Sequence, residues 1–277
     1  MGLLSKRAVS ILNMKEHKQL FACPVCKEGM SVSDTGKVTC INNHSFDIAK
    51  QGYINFMTKP VNSMYSKELF EARQRVIASG LYDDLQRKIA AHISGTYILD
   101  TGCGEGSHLA RICEKVEGSV GVGIDIAKEG ILSAAKFYDG HIWCVGDLAS
   151  SPYSADTFDV ILNILSPANY DEFKRLLKPD GKVIKVVPQE GYLKELRQQA
   201  FAHSEKESYT NALTLQRFKE SFERVEVERI HYTVPLSGDL VPKLLEMTPM
   251  GWHIENKEAI RLSEITVDVN ILIGTLK

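Results

Sequence analysis

Between Tyr97 and Val187 the chain alternates short, nearly uninterrupted apolar runs with amphipathic stretches. YILD, SVGVGID, IWCVGD, FDVILNIL and GKVIKVV are strand-sized, and their lack of polar alternation predicts strands covered on both faces. A helix beginning near Ser107, the stretch AKEGILSAAKFY and a helix around DEFKRLL separate them. Strands divided by helices predict an α/β fold built on a mostly parallel, doubly wound sheet. Upstream, Leu69, Ala72, Val76, Leu81, Leu85 and Ile89 recur roughly at helical spacing, and Gly80 divides the stretch into two helices. The last quarter differs: VEVERIHYTVPL and ITVDVNILIG flank the helix DLVPKLLEM, and both are expected as antiparallel edge strands of the same sheet. Met247, Met250 and Trp252, near that helix, read as packing residues.

At 277 residues and 30.9 kDa the chain has room for one large domain and a small module. Hydrophobic residues at 44% and charged residues at 25% exclude a disordered chain. No apolar run approaches the roughly 18 to 20 residues of a membrane helix. Lys6 and Arg7 precede an apolar stretch, but Asn13 breaks it and no small-residue cleavage site follows, so the expected location is the cytoplasm. The net charge of −2 argues against a generally basic, nucleic-acid-coating surface. Its distribution changes the picture, because residues 1–60 hold 8 Lys and Arg against 4 Asp and Glu, leaving 25 against 31 for the rest.

Three of the six cysteines are patterned. Cys23 and Cys26 form a C-x2-C pair, and after 13 residues Cys40 and His44 complete a C-x3-H pair. A short knuckle brings two sulfurs to one point and a hairpin returns the second pair, so four soft ligands can surround one Zn²⁺. Ser33, Asp34, Thr35 and Gly36 supply the turn between them. With every position filled by protein the zinc is expected to be structural, stapling a module too small to hold its own core. The alternative, three reduced thiols and an unrelated histidine, leaves the coincidence of spacing and turn residues unexplained.

The segment YILDTGCGEG reads as a buried strand running into a glycine turn, Gly102, Gly104 and Gly106, with Asp100 at the strand end. This turn is shorter than the G-x-G-x-x-G that seats a pyrophosphate. Glu105 within it would repel a pyrophosphate, yet it suits a ligand carrying an amino group and a sulfonium cation. Asp125 closes the next strand, 19 residues beyond Gly106, where an acidic residue can take ribose hydroxyls. Asp147 closes the strand after that and is placed to reach an adenine, or is simply a solvated strand-end carboxylate. Cys103 reads as a small packed residue. Turn and strand-end acid together resemble class I, Rossmann-like, S-adenosylmethionine-dependent methyltransferases.

The stretches CPVC and CINNHSFDIAKQGYINFM, then EARQRVIASGLY, LDTGCGEG, GVGIDIAK, FDVILNILSP, LLKPDGKVI and LLEMTPMGW are individually modest, but their order is specific. From about residue 20 to 277 the chain resembles the bacterial 23S rRNA (guanine-N1-)-methyltransferases of the RlmA type. The resemblance implies a zinc-binding, RNA-contacting module over residues 1–60, bridging helices over 61–95 and a methyltransferase domain over 96–277. It implies S-adenosylmethionine as donor, met additionally by Tyr82, His108, Leu109 and Tyr192, although Tyr192 stands where some relatives have histidine. It also implies a guanine in a hairpin loop of 23S rRNA as acceptor and suggests a homodimer. Family members divide between two nearby guanines of one hairpin, one group being linked to tylosin-type macrolide resistance. The residues before Phe21 have no assigned role.

Guanine N1 carries a proton at neutral pH, so methylation there needs a base or a polarised water. The acceptor must also be unstacked, which is easiest in an RNA loop. In this fold the segment after the fourth strand usually meets the target, making Asn163, Ser166 and Pro167 the candidate pocket floor; none is a convincing base. Asn163 is alternatively a strand-end residue and Pro167 a strand stop. Lys27, Lys37, Lys50, Lys59, Arg73 and Arg75 are the expected phosphate contacts, and RNA binding is then expected to weaken steeply with salt. Tyr53 and Phe56 read as buried strand positions rather than base-stacking rings. The main alternative function is a small-molecule methyltransferase with a structural zinc cap, since the fold is indifferent to the acceptor. A non-catalytic RNA-binding zinc protein and, last, a nicotinamide dehydrogenase are the other readings.

Overall fold

A computed structural model describes residues 4–59, 65–200, 211–254 and 256–276. The Pro-containing link after Lys59, and with it the expected boundary near residue 60, lies outside the described residues.

In the N-terminal part, α1 (Lys6–Glu16) precedes a three-stranded antiparallel sheet of β1 (Met30–Val32), β2 (Lys37–Cys40) and β3 (Ser45–Asp47). A two-residue strand, β4 (Ile54–Asn55), follows. Then come α2 (Lys67–Ala78) and α3 (Asp83–Ala91). Ser66 caps α2 by accepting from the Leu69 N–H, and Asp83 and Asp84 in the first turn of α3 face its positive end.

The larger part supplies β5 (Tyr97–Thr101), α4 (Ser107–Cys113), β6 (Val120–Asp125), α5 (Lys128–Phe137), β7 (Ile142–Val145), β8 (Phe158–Ile164), α6 (Tyr170–Leu176) and β9 (Leu177–Pro188). It continues with α7 (Lys194–Ala200), α8 (Ala212–Ser221), β10 (Arg224–Pro235), α9 (Leu240–Met247) and β11 (Glu264–Thr275). These form one eight-stranded sheet in the order β10-β11-β9-β8-β5-β6-β7-β4. The pairs from β9 to β4 are parallel, and β11 runs antiparallel to both β9 and β10. Of the two late strands expected at the edge only β10 is there; β11 lies one strand further in, where its continuous apolar run is covered on both faces, and β4 forms the opposite edge.

The apolar runs are buried as their lack of alternation requires, with Ile98, Leu99, Val122, Ile142, Val160 and Ile161 all fully enclosed. One core face meets α2 and α3 through Val76, Leu81, Leu85 and Ile89, and the other contains Leu20, Phe21, Val38 and Phe56 of the N-terminal part.

The two parts are joined by backbone as well as by side chains. β4 pairs in parallel with β7, Phe56 N–H donates to the Val145 carbonyl (2.9 Å), and Phe21 bridges antiparallel to Tyr153. Tyr53 and Phe56 are buried beside this added strand. The segment before Phe21 acts as a brace. From α1, Lys6 Nζ donates to the carbonyls of Ala135 (3.0 Å) and Lys136 (2.7 Å) at the end of α5 and pairs with Asp139, where a cation complements the helix dipole. On the same helix Arg7 donates to the carbonyls of Ile48 (2.8 Å) and Thr35 (2.7 Å). One helix thus fixes the small sheet to the large one. No described helix is long and apolar enough to cross a membrane.

Candidate active site and metal centre

In the small sheet, Cys23, Cys26, Cys40 and His44 converge, with one ligand atom from each lying within 4.8 Å of the others. Cys26 Sγ is 3.6 Å from Cys40 Sγ, and His44 Nδ1 is 3.5 Å from the sulfurs of both Cys23 and Cys40. Sulfurs held tetrahedrally at about 2.3 Å from one ion would be about 3.8 Å apart, so the set fits Zn²⁺. Lys27 and Asn43 take left-handed backbone conformations at the two knuckles and turn each ligand pair inward. The Asn42 side chain, with backbone donors, lowers the Cys26 thiol to about 6, which favours the thiolate a metal needs. Burial pushes Cys23 the other way. All six cysteines are free, and Cys103 is packed in the core with its thiol raised by burial, hence inert.

The second centre lies at the carboxyl ends of the parallel strands. Between β5 and α4, Gly102, Gly104 and Gly106 all have positive φ. At Gly106 a Cβ would lie 2.5 Å from the Trp143 ring and 2.9 Å from Ala134 Cβ, so only glycine permits α4 to pack this close. Asp125 fixes the turn: its Oδ2 accepts from Gly104 N–H (2.8 Å) and its Oδ1 from Ala127 N–H (2.7 Å). Asp100 and Glu105 are almost fully enclosed, and Asp100 Oδ1 and both Glu105 oxygens lack a hydrogen-bond partner among the described residues. Burial, reinforced by the neighbouring carboxylates Asp125 and Glu105, pushes Asp100 up to about 7 against the pull of Arg73. Burial also raises Glu105, opposed by the Arg73 guanidinium, whose Nε lies 3.7 Å from Oε2. Arg73, with weaker help from the Ser107 side chain and nearby backbone N–H groups, offsets part of the burial cost at Glu105, and buried carboxylates with so few donors remain costly unless a further cation joins them.

Beside the turn opens a cavity of about 610 Å³. Tyr82, His108 and Tyr192 line one part of it, with the Tyr82 and Tyr192 hydroxyls 2.7 Å apart and the Tyr82 and His108 rings edge to face. Burial lowers His108 to about 3, so it is a neutral ring. Ser166 and Pro167 line another part, with Ser166 directly over Gly102.

Several expected positions fall differently. Asn163 is fully enclosed behind the cavity, its amide donating to the Thr101 carbonyl (3.2 Å), Thr101 Oγ1 (3.1 Å) and the Pro167 carbonyl (2.9 Å); it buttresses the floor and is not its surface. The Leu109 side chain lies in the core, so any ligand contact there is through backbone. Asp147 is exposed and caps a 3-10 turn by accepting from Ala149 N–H. Arg73 faces Glu105 and the cavity, away from the exposed Arg75, because on α2 it shares a face with Phe70 and Ile77. Lys27, Lys37, Lys50 and Lys59 are all exposed, and Lys27 is engaged with Ser150 Oγ (3.1 Å). Met247 and Met250 pack against the core as expected, Met247 also lining the cavity, whereas Trp252 is 41% exposed against Tyr65. Sequence reasoning missed Lys185, which lies in the cavity wall only 4% exposed.

The N-terminal family model of RlmA proteins, a zinc ribbon, matches residues 21–67, and a methyltransferase-domain model matches residues 92–235. YxjB of Bacillus subtilis, which carries a 23S rRNA (guanine-N1-)-methyltransferase name, is 41% identical over 92% of this chain and 96% of its own. The 23S rRNA (guanine(748)-N(1))-methyltransferase of Streptomyces fradiae is 28% identical over 91% and 95% of the two chains. With the zinc-ribbon ligands assembled and the class I sheet order in place, the chain belongs to the RlmA-type 23S rRNA (guanine-N1-)-methyltransferase family.

Proposed function

We propose that this protein transfers a methyl group from S-adenosylmethionine to N1 of a guanine in a hairpin loop of 23S rRNA. The observation that carries the reading is the set of enclosed, donor-poor carboxylates around the glycine turn, opening beside a cavity large enough for a nucleobase. When bound, the donor supplies an electrophilic methyl on a sulfonium. Asp125 is placed for its ribose, Glu105 and Asp100 for its positive charge, and Arg73 for its carboxylate. Tyr82, His108 and Tyr192 wall off that end, excluding water where the ring faces are packed. Ser166 and Pro167 are placed under the acceptor base. Exposed Lys37, Lys50 and Lys59 on the zinc-stapled side and Arg75 on α2 offer phosphate contacts.

The test is transfer of labelled methyl from S-adenosylmethionine to rRNA of a strain lacking the gene, run beside free guanosine and a metabolite extract. Label confined to RNA is expected; label in metabolites with none in RNA would favour the small-molecule reading.

Donor affinity is expected to depend on pH. In the donor-free protein the raised Asp100 is protonated below about 7, and a bound cation favours the carboxylate. Binding at pH 6 should therefore release protons, up to one per site, and affinity should rise with pH and level off above 7. Calorimetry in two buffers of different ionisation enthalpy measures this, with Asp100→Asn expected to flatten the dependence.

A further inference from the structure

The proposed reaction requires the guanine N1 proton to go somewhere, and Lys185 is an amine buried in the cavity wall. It sits on β9 opposite Asn163 of β8 in the parallel register, and its ammonium end reaches the cavity wall. Nζ donates to Asn163 Oδ1 and to the Ser166 carbonyl (2.9 Å). Asn163 is itself fixed by Thr101 and Pro167, so a buried polar row across β5, β8 and β9 holds the amine. No carboxylate lies within ion-pair distance of it among the described residues. A neutral amine keeping both N–H bonds to those acceptors has its lone pair in a remaining tetrahedral direction.

We propose, resting on the reading above, that Lys185 is the general base: its neutral Nζ accepts the N1 proton as N1 bonds to the methyl carbon and the carbon–sulfur bond breaks. The products are N1-methylguanine, S-adenosylhomocysteine and the Lys185 ammonium, which returns its proton to solvent. Charge balances, since the sulfonium's positive charge ends on that proton.

Burial lowers Lys185 to about 8, near the range in which a base both exists and retains basicity. The other ionisable or charged groups lining the cavity are Arg73, Tyr82, His108, Tyr170, Tyr192 and Arg217. Burial pushes the three tyrosines up from their ordinary value and lowers His108 to about 3, so these four groups move away from the range of Lys185. Asp100, behind the turn at about 7, is the nearest competitor.

The experiment is single-turnover methyl transfer to an rRNA hairpin with saturating donor, from pH 6 to 9.5. The wild-type rate should rise tenfold per pH unit and bend near 8. Lys185→Met should lose about 100-fold or more and flatten that limb, while binding S-adenosylhomocysteine as the wild type does. Lys185→Ala should be partly rescued by small primary amines, more strongly by the more basic ones at equal free-base concentration, which a merely structural lysine would not show. Lys185→Arg, keeping the charge without a usable base, should stay slow. An active wild type with a Lys185→Met variant within threefold of it, or rescue insensitive to amine basicity, overturns the base alone. An inactive wild type overturns the base together with the function.

Discussion

Replacing Cys40 with Ser is expected to strip the metal from the small sheet and to abolish detectable binding of the rRNA hairpin, while S-adenosylhomocysteine still binds. Structural zinc sites contribute on the order of 10 kcal/mol to folding of the modules they close. A zinc on this ligand set would close three strands of three or four residues each, whose remaining support is the shared core with the large sheet. Cys40 faces both Cys26 and His44, so its loss leaves no second pair to complete a tetrahedron. The glycine turn lies on other elements and should survive. Metal content, a lowered first melting transition and calorimetry with the product check the three parts. Full zinc occupancy with unchanged RNA affinity in the variant would remove the metal from the account.

The second large effect is expected from Glu105→Gln. The substitution keeps shape and removes a buried negative charge, leaving Arg73 without its partner. Interactions with charged groups are worth about 1.5–3 kcal/mol, so S-adenosylmethionine should bind roughly ten- to 150-fold more weakly. RNA affinity should be unchanged, because Glu105 is fully enclosed on the donor side. Asp125→Ala, which deletes acceptors for Gly104 and Ala127 N–H, should weaken the donor as well and also loosen the turn. Equal donor affinity in Glu105→Gln would mean that the carboxylate faces no cation.

Much of this was legible in the sequence because its signals are local. Runs such as FDVILNIL reveal burial on both faces, and the cysteine–histidine spacing brings four ligands together within one hairpin. The glycine turn announced itself through residues only the backbone could need. What escaped depends on partners far along the chain. A two-residue strand, Ile54–Asn55, is defined only by pairing with Cys144 and Val145. The bracing role of α1 rests on Lys6 meeting carbonyls about 130 residues away, which no periodicity reports. Arg73 reads as a basic surface residue from its charge, yet on α2 it shares a helical face with the buried Phe70 and Ile77, which turns it inward. Lys185 left one faint signal, a lone charge in the run VIKVV of an interior strand, where a solvated lysine has no room.

The central claim is that a donor-binding glycine turn and a zinc-held head act together on one ribosomal guanine. Reverse transcription across 23S rRNA, taken from a strain lacking the gene and incubated with the protein and S-adenosylmethionine, tests it most directly, since a methyl on N1 blocks base pairing. The account predicts one new stop, adjacent to a guanine in a hairpin loop, absent without donor and absent with the Glu105→Gln protein at limiting donor. Read-through identical to untreated RNA, at donor concentrations that saturate the protein, would contradict it.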